Sequence, residues 1–235
     1  VPINLKMAHI LHIETTTTQC SVGLSKDGKI IALSEHNSEQ YSHSEKLHVF
    51  IQECLQQASL SPSDLDAVAV SKGPGSYTGL RIGVSTAKGI CFALDIPLIS
   101  VSTLLSLSCQ ATVRSGVIIP LLDARRDEVY AAVYDQNHQE IRDIQAEIIT
   151  NNSFLNYLNK DSVYIMGPGA EKCKLLIDAH PNLNFESTTS LPSAQQMVKI
   201  AHGKFERKEF ENVAYFEPFY LKDFIGTPSK KTFIH

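Results

Sequence analysis

Gly-Pro-Gly occurs twice in this chain, at 73–75 and at 167–169, and each time it stands between an apolar run and a helical pattern. A turn of this kind hands a buried strand on to a helix instead of folding the strand back on itself. Strands served by it join a sheet as parallel members. The elements leading to the two turns are also alike. Before the first come strands at 10–15, 20–26 and 29–36, the last two joined by the hairpin signal Asp27-Gly28. A helix over 42–59 follows, with Leu47, Phe50, Ile51, Cys54 and Leu55 at helical spacing, and then a strand at 65–71. The turn at 73 opens a helix that begins near Gly79 and reaches about Leu94, followed by a strand at 96–101 and a helix at 103–112. Before the second turn come strands at 117–123, 128–134 and 139–149, a helix at 153–159 and a strand at 162–166. Helices at 170–179 and 193–206 complete the pattern.

Two successive β-β-β-α-β-α runs predict an α/β protein with a tandem-duplicated fold of the sugar kinase/Hsp70/actin type (ASKHA, ribonuclease H-like) and two mixed-sheet subdomains. The subdomains are expected at 7–109 and 110–222, with an extension at 1–6 and a tail at 223–235. Such folds bind a ligand in the cleft between their halves.

A chain of 235 residues that is 43% hydrophobic has enough apolar surface for one large core or two modest ones. The net charge is −4 and no block of like charge exceeds two or three residues, which excludes a polybasic nucleic-acid-binding module. No apolar run approaches the roughly 18–20 residues that span a bilayer. Residues 1–6 lack a signal-peptide pattern, and the expected location is the cytoplasm. Cys20, Cys54, Cys91, Cys109 and Cys173 are scattered in apolar settings and include no C-x-x-C pair, so they read as reduced thiols.

The eleven residues Gly73 to Gly83, GPGSYTGLRIG, carry the strongest local chemistry. Glycines let backbone approach a phosphate, and a helix N-terminus favours an anion. No Gly-Lys-Ser/Thr follows, so this is not a Walker loop. Asp123, Arg125, Arg126, Asp127 and Glu128 gather charge at a strand end. They are either a bidentate grip on a phosphate or carboxylate, or a turn held by local ion pairs. The helix from Gly79 is apolar on more than one side, which fits either burial within its own subdomain or a second packing face. The histidines do not cluster. His9 and His12 lie on opposite faces of one strand, and His43 and His48 on different sides of one helix, so all read as surface histidines.

Several stretches, in order, resemble the TsaB family of bacterial proteins. They are Ile10 to Thr15 with Cys20 to Leu24, His43-Ser44-Glu45, GPGSYTGLRIG, Asp123 to Tyr130, and Glu217-Pro218-Phe219-Tyr220-Leu221-Lys222. The resemblance covers about Met7 to Lys222. It implies a noncatalytic scaffold in the making of threonylcarbamoyladenosine on tRNA, beside the anticodon. The implied partners are a TsaD-type subunit that transfers the threonylcarbamoyl group and a TsaE-type ATPase, with tRNA reached only through the complex. The transferase paralogue carries Val-Asn-His-x-x-x-His, whose two histidines ligate a metal; here Thr103 and Leu107 stand in their places, so neither catalysis nor a metal is expected. ATP-binding relatives in this fold use an Asp-x-Gly-Thr turn, where this chain has Glu14-Thr15-Thr16-Thr17. Thr15, Thr16, Gly73, Gly75 and Ser76 are therefore read as a vestigial nucleotide site, with ATP or ADP at the partner interface. The family pairs through two helices of each subunit. That nominates His43, Leu47, Phe50, Ile51 and Cys54 with Arg81, Ser85, Lys88 and Phe92 as partner contacts, and a homodimer when the chain is alone. The rival expectations are a glycoprotease-like metallopeptidase and a small ATP-dependent sugar-type kinase.

Overall fold

The computed structural model describes residues 7–38, 43–186 and 190–221. The expected extension at 1–6, the tail beyond 222 and the first residue of the helix expected at 42 lie outside the described residues. The first half contains β1 (His9–Glu14), β2 (Gln19–Lys26), β3 (Lys29–Asn37), α1 (His43–Gln57), β4 (Ala67–Gly73), α2 (Tyr77–Leu94), β5 (Leu98–Ser102) and α3 (Thr103–Ser108). The second contains β6 (Val117–Asp123), β7 (Glu128–Asp135), β8 (Glu140–Ile148), α4 (Leu155–Leu158), β9 (Val163–Met166), α5 (Ala170–Leu176), β10 (Leu183–Phe185) and α6 (Ala194–Glu206). The sheet orders are β3-β2-β1-β4-β5 and β10-β9-β6-β7-β8, the same order read from opposite edges. In each, three antiparallel strands lead and two parallel strands are added beyond the first of them. This is the duplicated ASKHA-type architecture.

Local chemistry explains the ends of several elements. Asp27 and Gly28 both have positive φ, 47° and 70°, as a tight hairpin between twisted strands requires. Helix α2 starts two residues earlier than its apolar pattern suggests, because Ser76 caps it by accepting from Gly79 N. The strand at 183–185 has too few residues for a periodic signal, and α4 keeps one turn of the helix expected over 153–159.

The helices do not stay with their own half. Helices α1 and α2 cover one face of the first sheet, packing on Leu11, Ile13, Val22, Val68 and Val70. The other face is covered by α6, whose Ala194, Met197 and Ala201 meet Ile10, Ala67, Ala69, Ile99 and Val101. In exchange, Leu104 and Leu107 of α3 pack on the second sheet with Ile118, Leu122 and Tyr134. A cut between 109 and 110 thus divides the strands, while each sheet keeps a helix from the other side of the cut.

Because both faces of the first sheet are covered, His12 is fully buried, against the expectation of a surface residue. Its Nε2 lies 2.7 Å from Ser25 Oγ. Burial pushes the ring pKa down from 6.5 to about 3. The native state therefore holds His12 neutral while the unfolded chain takes up a proton below pH 6.5. The stability this contributes is present above that pH and is lost as the pH falls towards 3. Urea denaturation followed from pH 7 to pH 4 is expected to show an acid loss of a few kcal/mol that His12→Gln abolishes. An identical pH slope in the two proteins would contradict the buried neutral ring.

Candidate functional site

The end of β1 and the turn before α2 are built against each other. Thr16 N and Thr16 Oγ1 donate to Glu14 Oε1 at 2.7 and 2.5 Å, and Ser71 Oγ from β4 donates to the other carboxylate oxygen. Ser76 N donates to Thr16 O at 2.7 Å, and Thr15 Oγ1 donates to Gly79 O at 2.8 Å. A Cβ at Gly75 would come within 2.5 Å of Thr16 Cβ, and one at Gly79 within 2.0 Å of Thr15 O. At Gly83, one turn on, it would come within 2.3 Å of Thr15 Oγ1. Gly73 needs its glycine twice over, for a φ of +113° and for Phe219 O, which a Cβ would meet at 2.9 Å.

Of the five residues nominated for a nucleotide, Thr16 is bonded to Ser76 and packed against Gly75, Thr15 is bonded to Gly79, and Gly73 faces Phe219 and Leu80 instead. Ser76 N and Gly79 N already have protein acceptors, and the space that the glycines open is filled by the Thr15–Thr16 backbone and side chains. A ligand on this turn would find neither of those two donors free. Glu14 is fully buried, and its carboxyl is pushed up by that burial against the downward pull of its Ser71 and Thr16 donors.

Thr103 and Leu107 are fully buried, with Leu107 in the contact between α3 and the second sheet. Among the described residues, no group of three or more His, Cys, Asp or Glu could hold a metal ion. The charged turn is held by one ion pair and by bonds to backbone. Asp123 accepts from Arg125 N at 2.6 Å and from Lys172 Nζ at 3.0 Å, while Lys172 also reaches Glu128 O at 2.8 Å. Arg125 and Arg126 occupy left-handed backbone at the exposed tip.

The partner contacts nominated on α1 and α2 divide sharply. Leu47 and Cys54 are fully buried and Phe50 nearly so; all three pack on the first sheet and cannot reach another chain. His43 is buried as well, its Nε2 donating to Thr17 O at 2.8 Å. The α1 pattern marked the core face, because the residues that recur at helical spacing are those turned to the sheet. Ile51 is half-buried beside that core, as are Ile82 and Ile90 of α2. On α2, Arg81 and Ser85 are exposed and the Phe92 ring is 83% exposed. Lys88 is held internally, its Nζ donating to Ala214 O at 3.2 Å and Phe216 O at 2.9 Å.

Those carbonyls belong to a strap at 211–220 that runs back along α2. Glu211 N donates to Leu98 O at 2.8 Å and Phe219 N to Lys72 O at 2.7 Å, and the Tyr220 ring lies 5.0 Å from that of Tyr77. Exposed Val49 and Gly89 complete the outward surface of the two helices. The strap has no periodicity to announce it, and Gly89 looks in sequence like any helical glycine.

The family model described as TsaD, tRNA N6-adenosine threonylcarbamoyltransferase, matches residues 33–224. The Escherichia coli protein named tRNA threonylcarbamoyladenosine biosynthesis protein TsaB is 32% identical over 230 residues, covering 91% of this chain and 94% of that protein. The chain belongs to the TsaB family. The Haemophilus influenzae TsaB is 27% identical over 225 residues, covering 91% of this chain and 93% of its own length. Among solved structures, YeaZ from Pseudomonas aeruginosa superposes with a TM-score of 0.77 at 25% identity, over 92% of this chain and all of that one.

In this TsaB-family chain the glycine turn is a packing device, and its substitution should be felt in stability. Gly79→Ala, which drives a methyl into the Thr15 carbonyl, is expected to lower the urea-unfolding free energy by about 1–3 kcal/mol or more. An unchanged midpoint would show that the two turns do not pack as described.

Proposed function

We propose that this chain is a noncatalytic subunit in the biosynthesis of threonylcarbamoyladenosine on tRNA, and that it acts by pairing with a TsaD-type transferase subunit. The observation that carries the reading is the outward face of α1 and α2. It keeps Phe92 83% exposed and Val49 47% exposed, while Ile51, Ile82 and Ile90 stay partly exposed at the edge of the core they pack on. Apolar side chains held on two packed helices, beside a complete core, suit a helix-on-helix contact with another protein. The names of the Escherichia coli and Haemophilus influenzae relatives supply the pathway.

Thr103 and Leu107, where the transferase has histidines, offer no ligand pair, so the chemistry in this reading belongs to the partner. This chain stabilises the partner's helices and completes the surface on which a TsaE-type ATPase assembles, in the cytoplasm, with tRNA bound by the whole complex. ATP or ADP belongs at the shared interface, because the donors of the Thr15–Ser76 turn are spent within the chain. Without the partner, the same face is left to pair two copies.

Mixing the purified chain with a TsaD-type subunit is expected to give a heterocomplex by light scattering, and tRNA modification that requires both proteins. Val49→Glu, on the exposed side of α1, should weaken that complex at least tenfold, about 1.4 kcal/mol. If no complex forms while both proteins are folded, the reading fails.

A further inference from the structure

Glu14 is the one fully buried carboxyl among the described residues, and none of them forms an ion pair with it. The cations of the surrounding elements are engaged elsewhere. Lys72, beside Ser71 on β4, and Lys204 of α6 act on each other, and Lys204 Nζ donates to Ser100 O at 2.9 Å. On α2, Arg81 lies over the Tyr77 ring at 5.6 Å and Lys88 donates to carbonyls of the strap. The titratable groups nearer to Glu14 are uncharged at neutral pH. His12, two residues back on the same strand, is held neutral by burial, which also pushes the Cys20 thiol of β2 up to about 12. On α1, His43 donates to Thr17 O, and burial lowers its pKa as well.

The hydrogen bonds around Glu14 are as uneven as the charges. Oε1 accepts twice, from Thr16 N and Thr16 Oγ1, whereas Oε2 meets the Ser71 hydroxyl. That hydroxyl has one proton and two neighbours, since Met197 Sδ lies 3.7 Å from it. The same heavy-atom positions serve two proton arrangements. With Glu14 ionised, Ser71 donates to Oε2, the sulfur receives nothing, and a full charge stands in the core without a counter-charge. With a proton on Oε2, that bond reverses and the carboxyl donates to Ser71, which donates in turn to Met197 Sδ. The oxygen that accepts twice is then the carbonyl, each proton has an acceptor, and no buried charge is left over.

We propose that Glu14 keeps its proton at neutral pH and acts as a latch on the joint between β1 and α2, so that opening the joint to water releases that proton. Thr16 transmits the latch. Its N–H and hydroxyl are bound to Oε1, and its carbonyl receives Ser76 N at the start of α2. Once water reaches the carboxyl, the O–H bond breaks, the proton passes to solvent, and the joint recloses only after reprotonation. Burial supports this, pushing the Glu14 carboxyl up against the pull of its Ser71, Thr16 and Thr15 donors. The closed form holds a proton that the open form has lost, so this contribution to stability is complete at acid pH and is lost as the pH rises through the buried group's own pKa. Its sign is opposite to that of His12, and it is independent of any pairing with another protein.

Glu14→Gln is the isostere of the protonated form. Its amide oxygen can take both Thr16 donors and its NH2 can replace the O–H toward Ser71, so it should melt no lower than the parent at neutral pH. Between about pH 6 and 8 the unfolding constant of the parent, measured in urea, should rise about tenfold per pH unit relative to that of the variant. The parent gives a second reading without any substitution. At about pH 7.5 unfolded histidines are largely neutral and unfolded thiols largely protonated. Calorimetric unfolding in buffers of different ionisation enthalpy should there report release of about one proton, absent from Glu14→Gln. Exchange of the Ser76 amide should also accelerate with pH more steeply in the parent than in the variant. Unfolding of the parent without proton release, or parallel pH slopes for the two proteins, would show Glu14 ionised in the folded chain and overturn the proposal. Proton release with equal Ser76 exchange in the two would overturn the latch, leaving only a buried acid.

Discussion

Everything near the front of the molecule hangs on one backbone contact, the carbonyl of Thr15 against the Cα of Gly79. That approach leaves no room for a side chain at 79, and the same threonine's hydroxyl claims the space at 83. The contact sets the angle at which α2 leaves β4, and therefore which side of α2 meets the sheet and which is left outside. Buried Glu14 reinforces it by collecting donors from Thr16 and from Ser71 on the neighbouring strand. A turn with the composition of a phosphate loop has become a joint between two elements. Ser76 N and the Thr15 hydroxyl are spent on carbonyls of the chain itself, and Gly79 N on the Ser76 hydroxyl.

The exchange of helices between the halves has a related consequence. Helix α6 comes late in the chain, yet it closes the face of the first sheet opposite α1 and α2. With that face sealed, the first sheet has no need of its outer helices for anything beyond covering one side. The far sides of α1 and α2 are thus left free to carry Val49, Phe92 and Gly89 outward. The strap at 211–220 then borders that surface, anchored by backbone bonds to Leu98 and Lys72 and by the Lys88 ammonium.

Much of the fold was legible in the residues. The Asp27-Gly28 hairpin, the two Gly-Pro-Gly turns and the apolar periodicity of α1 each depend on local backbone preference or on one buried face, and these act over a few residues. Helical spacing could not separate core from interface. Leu47, Phe50 and Cys54 recur because they face the sheet, so the spacing marks the covered side of α1 and says nothing of its outer side. His12 looked like a surface residue for a comparable reason. A strand's alternation says which residues share a face, but not whether a helix more than 180 residues further along will cover it.

The sequence by itself determined the order and kind of most of the elements, and the duplication. Each of these is written in residue type and spacing. Only the tertiary structure decided what the glycines of 73–89 are for, because a glycine's role is set by what stands opposite its missing side chain. For Gly79 and Gly83 that is Thr15, brought from more than 60 residues away. For Gly89 nothing among the described residues stands there, and the open space became visible only once α2 and the strap were seen side by side.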